Sequence, residues 1–122
     1  MIGYVMLGTN DFARATKFYD ALLGAMGAKR AMESEKFVAW GNSPTAPMVC
    51  VTKPYDGKAA TVGNGVMVAL ACDKPATVDK LYAKAIELGA KDEGKPGDRG
   101  GGFYAGYFRD PDGNKLNFFC MG

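Results

Sequence analysis

Asn117 interrupts an otherwise apolar run, Leu116-Asn117-Phe118-Phe119. An amide set among such neighbours faces either water or a polar cavity. Tyr55-Asp56, in a stretch rich in turn residues, offers a phenol and a carboxylate, although the same residues are most simply a turn. Arg99 lies among the glycines of residues 94–102 and carries the planar fork that grips a carboxylate or a phosphate through two bonds. Cys50 is a thiol within an apolar segment. Histidine is absent, which removes the commonest general base and the commonest transition-metal ligand. It also leaves no imidazole to lower the pKa of Cys50, so covalent cysteine catalysis is disfavoured. The glycine-rich stretch 94–102 lacks the Gly-Lys-Ser/Thr ending of a phosphate-binding loop and reads as a mobile lid.

The elements that must position these groups follow from periodicity. Residues 2–7 alternate as a strand, with Tyr4 and Met6 on one face and Val5 and Leu7 on the other. Residues 12–26 carry Ala15, Phe18, Tyr19, Leu22, Leu23 and Met26 at helical spacing, between an Asn10-Asp11 cap and a Gly27 stop. Short strands are expected over 28–33, 36–41 and 48–53. The pattern then begins again: a strand over 66–72, a helix opened by Asp73-Lys74-Pro75 and closed by Gly89, a short strand over 90–93, and a final hairpin. The hairpin joins the aromatic runs 103–108 and 116–120 through Asp110-Pro111-Asp112-Gly113. There Pro111 presets φ, Asp112 can bond its own backbone and Gly113 accepts positive φ. Tyr104 and Tyr107 have opposite strand parity, so only one of them faces inward.

Asp11 and Gly27-Ala28-Lys29 recur 62 residues later as Asp73 and Gly89-Ala90-Lys91. Each half reads β-α-β-β-β, and a helix covers only one face of such a unit. The expected fold class is α+β: two such modules forming an eight-stranded curved, cup-like mixed sheet, helices outside and a cavity within. The expected organisation is a single domain, with module one at 1–54, a linker at 55–63 and module two at 64–122.

A net charge of +2 points neither to nucleic acid nor to an acidic partner. No apolar run spans a bilayer, and the opening residues start a strand without a basic region, so neither a membrane segment nor a signal peptide is expected. Three cysteines without CxxC spacing read as reduced thiols of a cytoplasmic protein.

The strand followed by Thr9-Asn10-Asp11-Phe12, the helix with Phe18-Tyr19, the repeated Gly-Ala and above all Phe108-Arg-Asp-Pro-Asp-Gly-Asn-Lys-Leu116 resemble the vicinal oxygen chelate superfamily. This is the family of glyoxalase I, bleomycin-resistance proteins and extradiol dioxygenases. The resemblance implies a cup and, usually, a homodimer. In metal-dependent members four ligands line the cup, and their positions fall here on Tyr4, Cys50, Met67 and Asn117. None of these is a usual ligand for a divalent cation in a nitrogen–oxygen site. The expectation is therefore no metal and no cofactor. The cup would instead bind a small, partly apolar molecule, with the Tyr4 ring, soft walls from Met6, Met48, Met67 and Cys50, and an amide handle at Asn117. Tyr55, Asp56 and Arg99, on loops that border the cup mouth in this family, complete the candidate ligand-binding residues. Bleomycin itself does not suit a mildly basic chain without an acidic cluster. Two alternatives stand beside binding: a lyase or isomerase working without metal through Asp56, Tyr4 or Arg99, and an interaction module whose cup is plugged by Met6, Met67 and Phe119.

Overall fold

The computed structural model describes residues 1–122, which divide into two compact units, Met1–Val62 and Gly63–Gly122. The first contains β1 (Tyr4–Gly8), α1 (Phe12–Gly24), β2 (Lys29–Glu33), β3 (Phe37–Gly41) and β4 (Met48–Thr52). The second contains β5 (Val68–Ala71), α2 (Pro75–Glu87), β6 (Lys91–Asp98), β7 (Phe103–Arg109) and β8 (Lys115–Met121). Each unit is a four-stranded mixed sheet with the same order of strands, β1-β4-β3-β2 in one and β5-β8-β7-β6 in the other. The first strand of each pairs parallel with the fourth, and the remaining pairs are antiparallel. The eight strands thus lie in two four-stranded sheets, and the duplication inferred from the 62-residue repeat is present strand for strand.

In the first unit Asp11 caps α1 by accepting from the Arg14 N–H at 3.0 Å. The helix buries Ala15, Phe18, Tyr19, Leu22 and Leu23 against Val38, Trp40 and Val51 of the sheet core. Asp20 fastens this layer. Its Oδ1 accepts from Arg30 Nε at 2.9 Å and Trp40 Nε1 at 2.8 Å, and its Oδ2 accepts from Arg30 at 2.8 Å. The Arg30 guanidinium, followed by the indole N–H, holds the Asp20 carboxyl below the usual range. Gly27, at φ +84°, ends the helix in the left-handed turn that a side chain would disfavour.

In the second unit α2 buries Val78, Leu81, Tyr82 and Ala85 over β7 and β8, against Phe108, Leu116 and Phe118. Gly106 lets the layers approach: a Cβ there would lie 2.9 Å from Pro96 and 3.2 Å from the Tyr82 ring. Two phenols tie the helix layer to carboxylates. Tyr82 donates to Asp92 and Tyr104 donates to Asp79, each at 2.6 Å. Burial, and then the bond to Asp92, pushes the Tyr82 phenol up to about 12. The same bond, with the Gly94 N–H, holds Asp92 below the usual carboxylate range.

These shifts set the pH response. A raised phenol pKa contributes stability that is complete below the unfolded value of about 10 and is lost as pH rises through about 12. A lowered carboxylate pKa contributes stability present above the unfolded value of about 4 and lost as pH falls through the folded one. Urea midpoints measured across pH are expected to stay level near neutrality and to fall at both extremes. Tyr82→Phe should cost about 1 kcal/mol at neutral pH and flatten the alkaline fall. It should not abolish that fall, because the Tyr104 phenol is also raised, first by its bond to Asp79.

One sequence expectation needs correction. Residues 94–102 do not form one long loop or lid: β6 continues to Asp98, and only residues 99–102 turn. β6 is an edge strand, where Pro96 can leave its missing N–H outward, and its ladder with β7 shifts register twice, between Asp92 and Gly94 and between Gly94 and Gly97. Glycine and proline punctuate a strand here instead of ending it. In the hairpin turn the Asp110 side chain organises the backbone. Buried Asp110 accepts from the N–H groups of Asp112 and Asn114, each at 2.9 Å, and from the Asn114 amide at 3.0 Å. Gly113 sits at φ +95° as expected.

Candidate functional site

Each sheet has one face under its helix and one face opposite it. In the first unit, register and strand parity place Tyr4, Met6, Met48 and Cys50 on the face away from α1. Tyr4 stands beside Met48, and Met6 beside Cys50, which in turn pairs with Ala39. Tyr4 and Met6 are 59% and 49% exposed, whereas Leu7, of opposite parity, is buried. The expected division of β1 into two faces therefore holds. Met32, across Ala39 on β2, adds a second exposed thioether to this face, beside Met6. Cys50 is buried, and burial pushes its thiol up, so it stays protonated at neutral pH.

In the second unit Asn117 sits on β8 between Ala69 of β5 and Tyr107 of β7, on the face away from α2. Leu116 and Phe118 point the other way and are fully buried. Asn117 is 1% exposed, and its Oδ1 is the one buried side-chain polar atom with no hydrogen-bond partner. Met67 immediately precedes β5 and is 40% exposed. The sequence-stated opposition of the two tyrosines is realised: Tyr104 bonds Asp79 of α2, and Tyr107 lies on the open face.

Arg99 is placed beside this face but braced to the main chain. Its Nε and Nη2 donate to the Ala105 carbonyl at 3.3 and 3.1 Å, Nη2 also donates to the Lys95 carbonyl, and the guanidinium lies 5.3 Å from the Tyr107 ring centre. Lys115 sits 5.5 Å from the same ring, so Tyr107 carries two cations against it. Lys115 had no signal in the sequence, because its role depends on the β7–β8 register. Tyr55 and Asp56 are at the tip of a turn. The Gly57 N–H donates to the Pro54 carbonyl, Asp56 accepts from the Lys58 N–H at 2.9 Å, and Tyr55 is fully exposed.

The donor chemistry at Tyr4, Cys50, Met67 and Asn117 does not fit the divalent cation of the metal-dependent fold relatives: a phenol, a protonated thiol, a thioether and an amide supply neither carboxylate nor imidazole. No three His, Cys, Asp or Glu side chains come together anywhere in the chain to hold a metal.

Duplicated βαβββ units, each with its helix on one face of a four-stranded mixed sheet, define a class of α+β proteins in which chemistry varies while the scaffold persists. The chain belongs to the Glyoxalase/Bleomycin resistance protein/Dioxygenase superfamily, whose family model matches residues 1–118. A crystal structure of a glyoxalase/bleomycin resistance protein from Albidiferax ferrireducens T118 is 36% identical, with a TM-score of 0.91, over 100% of this chain and 99% of that one. A family enzyme from Burkholderia phytofirmans PsJN is 18% identical, with a TM-score of 0.80, over 98% of both chains. A lactoylglutathione lyase from Agrobacterium tumefaciens is 20% identical, with a TM-score of 0.72, over 98% of this chain and 92% of that one. The last two likenesses are of fold. The curated proteins include no match. Neither helix is long and apolar enough to cross a membrane.

Proposed function

We propose that the protein binds a small, partly apolar molecule without the help of a metal ion, on the sheet faces left uncovered by the helices. The observation that carries this reading is the Asn117 Oδ1, a buried carbonyl oxygen without a partner, set between Ala69 and Tyr107. Such an atom costs about 1–3 kcal/mol unless a donor meets it, and a ligand N–H or O–H is the donor it lacks. Within the first unit, Tyr4, Met6 and Cys50 supply the ring and soft walls that such sites ordinarily use; within the second, Met67 precedes β5 as a half-exposed thioether. The residues that replace the family's metal ligands support binding without a cation. Catalysis by a lyase or isomerase would need a free base, and several carboxylates are otherwise engaged: Asp79 and Asp92 accept from phenols, Asp110 organises a turn and Glu93 pairs with Arg109. Binding is therefore the stronger reading. In keeping with the family, the protein is proposed to act as a homodimer, and its three unpaired cysteines suit the cytoplasm.

The test is a thermal-shift screen run with a small-molecule library and, separately, with Ni, Zn, Mn and Mg. A fitting ligand at 100 times its Kd stabilises by about 2.7 kcal/mol. At least one library compound with a hydrogen-bond donor is expected to stabilise the protein, and no metal is. One equivalent of tightly held, stabilising Zn overturns the reading.

A further inference from the structure

A separate pocket lies within the first unit, where the end of β4 and the following strap pass the start of α1. Its volume is about 310 Å³, and Thr9, Asn10, Phe12, Lys53, Pro54 and Lys58 line it. That is enough room for a small ligand. Two lysines and no acidic side chain face it. Neither lysine is in an ion pair, and the Lys53 ammonium has only the Phe12 ring, at 5.4 Å. The helix end does not supply the missing anion-binding charge, because Asp11 already caps it. The charge therefore comes from the lysines.

The frame around them is fixed. The Asn10 amide donates to the Ala60 carbonyl at 3.1 Å and accepts from the Ala60 N–H at 2.7 Å, holding the strap at two points. Gly8 permits that closeness, since a Cβ there would stand 3.0 Å from the Ala60 Cβ. Two turn bonds, Gly57 N–H to the Pro54 carbonyl and Lys58 N–H to Asp56, stiffen the tip of the strap. The lysines are thus presented from a preorganised loop, which lowers the ordering cost of a ligand. Two unpaired ammonium groups match a dianion as point charges, and Phe12 and Pro54 offer a flat apolar wall beside them.

We infer that this pocket is a binding site for a phosphate monoester carrying a flat apolar group, with Lys53 and Lys58 as the phosphate-holding residues. The inference is independent of the ligand proposed for the open sheet faces.

Amide chemical shifts of the intact protein, titrated with phenyl phosphate, inorganic phosphate and phenol, test it. Phenyl phosphate is expected to shift the amides of Thr9, Asn10, Phe12, Gly57 and Lys58 saturably, inorganic phosphate to do so more weakly, and phenol not at all. The Lys53→Gln/Lys58→Gln variant replaces two exposed side chains and should weaken phenyl phosphate about tenfold or more. Raising the salt concentration should weaken it as well. Absence of saturable shifts, or an affinity unchanged in the double variant, overturns the proposal. Shifts confined to residues around Asn117 also overturn it, while leaving the open-face reading intact.

Discussion

Asn117→Leu is expected to abolish binding of the open-face ligand and to raise stability at the same time. The two effects have one cause. Oδ1 is desolvated in the folded chain and bonded to nothing, so the native state carries its desolvation cost in full. Leucine has the same branched arrangement of side-chain heavy atoms and suits neighbours such as Ala69 and the Tyr107 ring. Removing the orphaned oxygen should therefore gain about 1–3 kcal/mol, read as a higher urea midpoint with an unchanged slope. A ligand whose donor met that oxygen loses the bond and gains an apolar clash for its polar group, which should take its affinity beyond detection. Stability that falls, or binding that survives, would show that Asn117 is bonded in solution or serves the fold alone.

The second large effect is on the hairpin. Asp110→Ala should destabilise the protein by about 3 kcal/mol or more. One buried carboxylate satisfies two backbone N–H groups and the Asn114 amide, and Asn114 is itself buried. Bonds to an ionised acceptor are worth about 1.5–3 kcal/mol each, and their loss leaves donors stranded away from water. The turn sets the register of β7 against β8, which in turn places Tyr107 beside Asn117. The variant is expected to lower the thermal midpoint by well over ten degrees in differential scanning calorimetry. A loss well below about 1 kcal/mol would refute this role for Asp110.

The hairpin shows what periodicity and turn chemistry reveal and where they stop. The duplicated βαβββ order, both helices and the two faces of β1 could be read because each follows from local spacing: Tyr4 and Met6 against Val5 and Leu7, or Phe18 with Leu22 in α1. The turn itself was legible from Asp110-Pro111-Asp112-Gly113, but the three donors that Asp110 gathers depend on the path of the backbone. The extension of β6 through Gly94, Pro96 and Gly97 was hidden, because those residues mark a loop unless the strand lies at an edge. Asn117 stood out as an amide among apolar residues, yet its lack of a partner is a property of the packed sheet. The lysine-lined pocket left no trace at all. It depends on Asn10 meeting Ala60 fifty positions away, a long-range contact that local pattern cannot supply.

The broken ladder along β6 has a consequence for growth into fibrils. An incoming strand from another molecule needs an unbroken row of donors and acceptors in constant phase. Pro96 withholds a donor and the two bulges interrupt the phase, so this rim of the second sheet cannot act as a template. The glycine and proline content that disguises the strand in the sequence also protects the folded protein from amyloid-like stacking along that side.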